Sequence, residues 1–363
     1  MEIVYLGRYN PSEILTGPEK VARRLFQHTY EKNKGVVFID YFFKDKKSNI
    51  YKRLLGKKII QNEPSVIRLG NLRIFFFLVF NQPAIIHIVT LERFIIPVYL
   101  YRFLLKSRII TTLHGILKYE ISLNTQKRKS VFKDKLLETL AFKYSNKLIF
   151  VSASLKEFSK KYYKTDAAKI EIIPNGIDKI YAGIKEIKFS DKLKIVLFLN
   201  SIHGQYDAGV LELLTNYQKI INVPCRIYLL GNFIIEDKTL DDRIFEKIGI
   251  LEAAKLREFL EDKHIVIKPS LYESFSIFTA ECMAMGLIPI VSNKVGIKDY
   301  IETGVNGFIY KNIAEIKQIL DYLYNDKDNL QKISLNARMI YDKLNWKKVS
   351  EEYYKIYKQL NEN

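Results

Sequence analysis

The chain has 363 residues, which is long for one domain and suits two. Its hydrophobic content of 48% excludes a disordered chain, and a count of only two cysteines excludes a disulfide scaffold. The formal net charge is +18, and the whole excess lies in residues 1–175, which contain 32 basic and 14 acidic residues. An N-terminal half with this excess of basic residues favours an anionic surface or a phosphate-bearing partner, although a lysine-rich solvated surface has the same composition.

Short apolar runs alternate with helical patterns along the chain, which predicts parallel α/β units. A first series of buried strands is predicted at residues 3–6, 35–40, 85–89, 109–113, 147–151 and 171–173. A second series is predicted at residues 195–199, 226–230, 264–267, 288–291 and 307–309. Helices are predicted between the strands, among them residues 19–30, 132–144 and 154–163.

No targeting or membrane-spanning segment is expected. Residues 1–10 lack the basic start, apolar centre and cleavage site of a signal peptide, and they are predicted to form a buried strand. The most apolar stretches, residues 74–80 and 94–105, are shorter than the roughly 20 residues that cross a bilayer. We therefore expect a cytoplasmic protein.

A turn with the sequence Pro-Asn-Gly-Ile-Asp at residues 174–178 predicts a junction between two domains. Proline stiffens the exit from a strand, and Asn-Gly accepts a positive φ. An ordinary turn uses the same residues, but the excess of basic charge also ends here. We predict an N-terminal domain at residues 1–174, a C-terminal domain at residues 175–345 and a final amphipathic helix at residues 346–363.

Residues 269–310 carry the most informative pattern, in which a strand is followed by a helix that begins near residues 275–278. Glu273 lies in the loop before this helix, and Glu281 lies two turns into it. Free backbone amides at the positive end of a helix bind phosphate, and here they belong to Ser274, Phe275, Ser276 and Ile277. Two nearby carboxylates suit hydrogen bonds to sugar hydroxyls. In the alternative, Glu273 caps the helix and Glu281 faces solvent.

This segment resembles the signature of the retaining glycosyltransferases of family four, which have the GT-B fold. The signature consists of Pro269-Ser270, Glu273, Glu281, Gly286 to Pro289 and Asn306-Gly307-Phe308. Further matches follow the order of the family at Thr16 to Glu19, Thr112 to Gly115, Ile172 to Asp178 and Tyr341 to Tyr357. The resemblance implies an α/β GT-B fold, with two Rossmann-like parallel-sheet domains facing across a cleft and a terminal helix that returns to the N-terminal domain.

The resemblance also implies roles for individual residues. Glu273 would bind the hydroxyls of the donor sugar near the reacting carbon, and Glu281 would bind the ribose. His114 would lie beside the donor sugar, and Gly17 would let the backbone approach the diphosphate. A lone histidine after a strand is more often a packed polar residue, which is the interpretation for His87.

One departure from the family concerns the diphosphate. The family has Gly-Arg and, five residues later, lysine after the first strand of the second domain, whereas residues 199–207 contain neither cation. Lys268 is a candidate substitute, His203 is a weaker one, and Asn200 is a further candidate for donor binding. An unusual donor, or a protein that has lost catalysis, would also explain the departure.

The resemblance implies a retaining transferase that moves a hexose from a nucleoside-diphosphate sugar to a glycan or lipid-linked acceptor, as in cell-surface polysaccharide biosynthesis. We expect no cofactor and no metal, since Asp241-Asp242 lies in a polar, solvated stretch. A catalytically inactive partner subunit and a sugar-nucleotide epimerase of the same fold remain alternatives. Product analysis would distinguish them.

Two stretches of the N-terminal half, residues 44–58 and 94–108, combine basic with aromatic or aliphatic residues. Such stretches suit an anionic membrane surface, although a solvated loop and a core helix have similar compositions. We expect a peripheral protein at the inner face of the plasma membrane. The chain shows no helix-turn-helix, zinc or RNA-binding signature, so nucleic acid is not an expected partner.

Overall fold

The structure, a computed structural model, describes residues 2–12, 16–41, 54–60, 63, 65–92, 95–100, 102–123, 131–182, 188–199, 205–231 and 240–362. Within these ranges, residues 121–123, 131 and 205–207 are described by their backbone alone. The described residues form two sheets, which divide between Ile172 and Leu193.

The first sheet has the strand order β3-β4-β2-β1-β5-β6-β7-β8 and is parallel except for the antiparallel pair β3–β4. Its central strands are buried and rich in isoleucine and valine, as expected for a parallel sheet covered on both faces. The strands are β1 Ile3–Leu6, β2 Val37–Tyr41, β3 Lys57–Ile59, β4 Val66–Leu69, β5 Ile85–Ile88, β6 Arg108–Leu113, β7 Lys147–Phe150 and β8 Ile170–Ile172.

Helices cover both faces of this sheet. They are α1 Gly17–Lys32, α2 Asn71–Asn81, α3 Ile96–Leu100, α4 Leu117–Leu123, α5 Val131–Tyr144 and α6 Ala153–Ser159. One core joins α1 to the sheet through Leu25 and Phe38, and a second core lies on the opposite face, where Leu78 and Leu137 meet.

The second sheet is wholly parallel, in the order β11-β10-β9-β12-β13-β14. Its strands are β9 Leu193–Leu199, β10 Cys225–Gly231, β11 Phe245–Gly249, β12 Ile265–Lys268, β13 Ile288–Ser292 and β14 Phe308–Tyr310. The helices that follow are α7 Gln205–Thr215, α8 Tyr217–Ile220, α9 Ala253–Leu260, α10 Ile277–Ala284, α11 Glu315–Asn325, α12 Lys327–Arg338, α13 Ile340–Leu344 and α14 Trp346–Glu362.

The last helix, α14, packs on the first sheet rather than on the second. Tyr357 Oη lies 2.8 Å from Tyr5 Oη and 2.7 Å from His87 Nδ1, in the buried interior beside β1 and β5. Trp346, at the start of α14, packs on Gly176 in the chain that connects the two sheets. The histidine is fully buried and hydrogen-bonded, which agrees with its interpretation as a packed polar residue.

Candidate active site

The carboxyl ends of both sheets meet in one interdomain region. The backbone N–H of Ile116, after β6, donates to Tyr272 Oη at 3.3 Å, in the loop after β12. Ser152 Oγ, after β7, donates to the carbonyl of Ser274 at 2.7 Å. In α/β proteins, ligands bind beyond the carboxyl ends of parallel strands, so this region is the candidate site.

The loop between β12 and α10 is held rigidly in place. Its backbone pairs with the segment after β13, where Gly296 N–H donates to the carbonyl of Glu273 at 2.8 Å. A Cβ at position 296 would lie 2.1 Å from the carbonyl oxygen of Ser274, so only glycine allows this approach. The N-cap residue Ser276 has a φ of 83°, a left-handed conformation that is strained for a residue with a side chain.

Helix α10 begins at Ile277, within the range that the sequence predicts. The N–H groups of its first turn have no intrahelical acceptor, and no acidic residue in that turn neutralises the positive end of the helix. The side chain of Phe275 is buried in the core and packs against Tyr300, so this residue offers its backbone rather than its ring to a ligand.

The helix start also lies against the N-terminal domain. A Cβ on Gly17, the first residue of α1, would lie 3.6 Å from Ile277 Cδ1. The N-termini of α1 and α10 therefore converge, and both helix dipoles place partial positive charge in the same region. The first turn of α1 is closed by a capping box in which Glu19 accepts from the Thr16 N–H at 3.1 Å.

Glu273 lies beside a buried lysine. Its Oε2 is 3.4 Å from Lys268 Nζ, and the side chains of Glu273 and Lys268 are 15% and 2% exposed, respectively. The lysine stands at the end of β12, with its ammonium 5.8 Å from the centre of the Phe198 ring. A buried ammonium needs a nearby anion, and this one has a carboxylate at the edge of the interdomain region.

Glu281 is buried, so the alternative in which it faces solvent is wrong. Its carboxylate forms an ion pair with Lys20 of α1, whose Nζ is also 3.4 Å from Asp178. Arg24 contacts the same aspartate at 2.8 Å. Burial lowers the pKa of Lys20, but the two carboxylates outweigh it and leave this pKa above its usual value. The lysine is therefore charged, and it joins the two domains.

His114 follows β6, and its Nε2 lies 3.0 Å from the carbonyl oxygen of Val89. A carbonyl only accepts, so Nε2 carries the hydrogen and Nδ1 is left as an acceptor in the neutral ring. Burial lowers the pKa of His114 to about 4, against a smaller opposing effect of the Val89 carbonyl, so the ring is neutral at neutral pH.

Asn200 and His203 lie outside the described residues. The helix that follows them, α7, packs closely on the loop after β12. A Cβ on Gly209 would lie 1.5 Å from the carbonyl oxygen of Pro269, so this contact requires glycine. The sequence patterns did not reveal Lys20 or Asp178 as partners of Glu281, since 261 residues separate Lys20 from Glu281 and no local motif couples them.

Among the described residues, no cluster of three or more histidine, cysteine, aspartate or glutamate side chains could hold a metal ion. Asp241, which belongs to the polar stretch noted in the sequence, pairs with Arg243 at 2.8 Å. The described helices include none that is both long and apolar enough to cross a membrane.

Two Rossmann-like domains with converging helix N-termini define a protein of the GT-B architecture. The model of glycosyltransferase family 4 matches residues 40–179, and that of group 1 glycosyl transferases matches residues 184–340. The chain belongs to this family of GT-B glycosyltransferases.

Among curated relatives, the uncharacterized glycosyltransferase MJ1607 of Methanocaldococcus jannaschii is 27% identical over 61% of this chain and 62% of its own length. An Escherichia coli UDP-Gal:α-D-GlcNAc-diphosphoundecaprenol α-1,3-galactosyltransferase is 25% identical over 63% of each chain. The chain thus spans less than two thirds of the length of each of these two relatives.

Solved structures match the whole fold. A sucrose-phosphate synthase from Thermosynechococcus elongatus has a TM-score of 0.77 at 15% identity, with 99% of each chain covered. The Anabaena protein HepE in complex with UDP-glucose has a TM-score of 0.72 at 16% identity, with 99% of this chain and 100% of that chain covered.

Proposed function

We propose that this protein transfers a sugar from a nucleoside-diphosphate sugar to a glycan or lipid-linked acceptor, with retention of configuration at the anomeric carbon. One observation carries the proposal: Glu273 lies next to the electropositive start of α10, in the region where the two domains meet. The resemblance of the fold to that of HepE, which has been crystallised with UDP-glucose, supports this class of donor.

The donor would lie with its diphosphate at the start of α10. The first-turn amides from Ile277 onward and the buried ammonium of Lys268 would stabilise the negative charge that develops as the diphosphate leaves. Lys268 would thereby take over the charge that the absent arginine and lysine supply in the family. Because these positive groups are part of the protein, we propose that the reaction needs no divalent metal.

The two glutamates and the histidine would position the sugar nucleotide. Glu273 would accept hydrogen bonds from sugar hydroxyls, and His114 Nδ1 would accept one more near the anomeric carbon. Glu281 would accept hydrogen bonds from the ribose hydroxyls. These hydroxyls must either replace Lys20 as the partner of the carboxylate or share the carboxylate with it. Positioning of this kind lowers the barrier, because the reactants no longer have to find the reactive geometry by diffusion.

Retention follows if acceptor and leaving group use the same face of the sugar. The bond between the anomeric carbon and the diphosphate oxygen breaks, and the acceptor oxygen bonds to that carbon from the same side. The hydroxyl proton of the acceptor passes to the departing diphosphate. No protein carboxylate has to act as a nucleophile in this scheme.

We propose a lipid-linked glycan of the cell surface as the acceptor, with the protein at the cytoplasmic face of the membrane. The named activity of the Escherichia coli relative, which acts on a diphosphoundecaprenol-linked sugar, supports this class of acceptor. The basic N-terminal half would bring the protein to an anionic bilayer.

The test is donor turnover by the purified protein with a panel of UDP-, GDP- and ADP-sugars. Glu273→Gln should lower turnover at least about 100-fold, the effect of removing a group that acts in the transition state. Glu258→Gln, an exposed carboxamide substitution on α9, is the matched control and should leave the rate unchanged.

Both variants should keep the circular dichroism spectrum of the parent. Glu273→Gln should lower the melting temperature, because the buried Lys268 loses its carboxylate partner, so turnover is compared at a temperature at which both variants are folded. Equal rates for Glu273→Gln and the parent would remove Glu273 from the mechanism. A donor that is isomerised rather than transferred would identify an epimerase, and no turnover with any donor would favour a partner subunit.

A further inference from the structure

A charged cavity lies at the end of the N-terminal sheet that is opposite to the candidate active site. The amino-terminal ends of β6, β7 and β8 surround an open depression of about 340 Å³. Three cations line it, namely Arg102, Lys143 and Lys169. The candidate active site lies beyond the carboxyl ends of the same parallel strands, so the two regions are separated by the length of the strands.

The three cations have no acidic partner in the part of the chain that the structure describes. The Arg102 guanidinium lies 4.1 Å from the centre of the Tyr144 ring, and Lys143 Nζ lies 5.2 Å from the same centre. One aromatic ring therefore holds two positive charges close together. The two like charges repel each other, and an anion bound between them would offset this repulsion. The arrangement is therefore suited to an anionic ligand.

The cavity also contains an unused hydrogen-bonding group. The hydroxyl oxygen of Ser107 is buried and has no hydrogen-bond partner among the described residues. Buried polar groups are normally paired, so this hydroxyl is available to a ligand that enters the cavity. A phosphate would accept from this hydroxyl and from the three cations together.

One exposed aromatic side chain lines this cavity, and another lies at the end of helix α2, which contacts the same segment. Phe103 is 73% exposed, and Phe80 at the end of α2 is 79% exposed. Gln82 ties the two segments together, because its Nε2 donates to the Leu104 carbonyl at 3.1 Å and its Oε1 accepts from the Lys106 N–H at 2.9 Å. A basic cavity beside protruding phenylalanines matches the interface of an anionic bilayer, where phosphates lie just outside the acyl chains.

We propose that this surface, defined by Arg102, Lys143, Lys169, Phe103 and Phe80, docks the protein on anionic phospholipid. A headgroup phosphate enters the cavity, and the two phenylalanines insert at the boundary with the acyl chains. This inference rests on the membrane association in the proposed function, but it does not depend on which sugar is transferred.

Docking in this way fixes the orientation of the enzyme. The six residues of β6 span roughly 20 Å, at about 3.3 Å per residue, so the interdomain region is held about that far from the headgroups. The reacting hydroxyl must therefore extend from the bilayer.

The docking test is co-sedimentation with vesicles of phosphatidylglycerol mixed with phosphatidylcholine, compared with vesicles of phosphatidylcholine alone. The parent should bind only the anionic vesicles. Charge reversal in Arg102→Glu/Lys143→Glu, and separately Phe103→Ser, should each weaken binding at least tenfold. The matched control is Lys317→Glu/Lys332→Glu, a double charge reversal at exposed positions of α11 and α12. It should bind anionic vesicles as strongly as the parent.

Three results would overturn the docking proposal: equal binding by the Arg102→Glu/Lys143→Glu variant and the matched control, equal binding to both kinds of vesicle, or binding of free glycerol phosphate without binding of vesicles. Donor turnover in solution, measured on the same variants, should stay at the parental rate. If the parent binds anionic vesicles but turns over no donor, the proposed transferase activity is rejected and the docking proposal is not.

Discussion

Each of the two glutamates of the site is next to a lysine. Lys268 is close to Glu273, and Lys20 forms an ion pair with Glu281 across the domain contact. These pairs keep the site near electrical balance in the absence of a donor. A diphosphate would add negative charge beside two ammonium groups and two helix N-termini, where it is attracted from both domains.

Removing the Lys20 charge should destabilise the protein strongly. In Lys20→Met, the buried carboxylate of Glu281 loses its ammonium partner, and breaking a buried ion pair from one side costs about 3–5 kcal/mol. Denaturant titration measures the loss. Lys32→Met, which breaks a surface contact of the same helix at 3.9 Å, should cost less than about 1 kcal/mol.

The Lys20→Met/Glu281→Gln double variant tests the cause of that loss. Replacing the carboxylate with a neutral amide removes the uncompensated charge, so most of the stability should return. A single Lys20→Met variant as stable as the Lys32→Met control would show that solvent, and not the lysine, compensates Glu281.

At the level of secondary structure elements, α14 is fixed to the first sheet through a polar network around His87. The Nδ1 of His87 lies 2.7 Å from Tyr357 Oη, and the Nε2 of His87 lies 2.8 Å from Thr112 Oγ1. Complete burial lowers the pKa of His87 to about 3, with a smaller contribution from nearby His114 in the same direction. The imidazole is therefore neutral in the folded protein down to acidic pH.

This lowered pKa predicts the direction of a pH effect on stability. Below the pKa of about 6.5 of an unfolded histidine, the unfolded chain binds a proton that the folded chain does not bind until pH about 3. The stability is thus fully present above pH 6.5 and is lost as the pH falls. His87 alone should remove about 2 kcal/mol from the free energy of unfolding between pH 8 and pH 5.

Denaturant titrations at a series of pH values measure this slope. A His87→Gln variant should be less stable at pH 8, yet its stability should fall less steeply on acidification. Identical slopes for the variant and the parent would assign the acid sensitivity to other groups. His114, whose pKa is also lowered, contributes a slope of the same sign in both proteins.

The sequence predicts most of the strands, including the edge strands β8 and β14. Each of the eleven predicted strands overlaps an observed one, because buried parallel strands are continuous apolar runs. Strands β3, β4 and β11 are not predicted from the sequence. The edge strands β3 and β11 contain exposed lysines, and in β4 Arg68 interrupts the apolar run because it pairs with Asp40 of the neighbouring strand.

Local motifs locate the loop before α10 but not its partners. Glu273, Glu281 and the helix start lie within one short segment, so their spacing is visible in the sequence. Contacts with α1 depend on how two domains dock, and no local pattern encodes that. The domain boundary at residues 174 and 175 and the roles of the site residues stay predictions.

At the scale of the whole molecule, the two domains are connected on several sides. Ser154 Oγ donates to Asp299 at 2.6 Å, and the hydrophobic core behind the site contains Phe150 of the first sheet and Met283 of α10. The return of α14 adds a further connection. A ligand that contacts both α1 and α10 would bind between two domains that are already in contact.

Donor nucleotides should therefore raise the unfolding temperature of both domains together. A ligand at 100 times its dissociation constant stabilises the folded state by about 2.7 kcal/mol, and here that energy is shared across the domain contact. Scanning calorimetry with UDP, GDP and ADP measures the shift, and the nucleotide with the largest shift identifies the base.

Uridine, guanosine and adenosine are the controls, since they lack the diphosphate that the helix N-termini and Lys268 would bind. Lys268→Met should reduce the shift caused by the diphosphate but not that caused by the nucleoside. Lys263→Met, two residues before the start of β12, should change neither. A diphosphate that stabilises no more than its nucleoside would place the phosphate site elsewhere than at the start of α10.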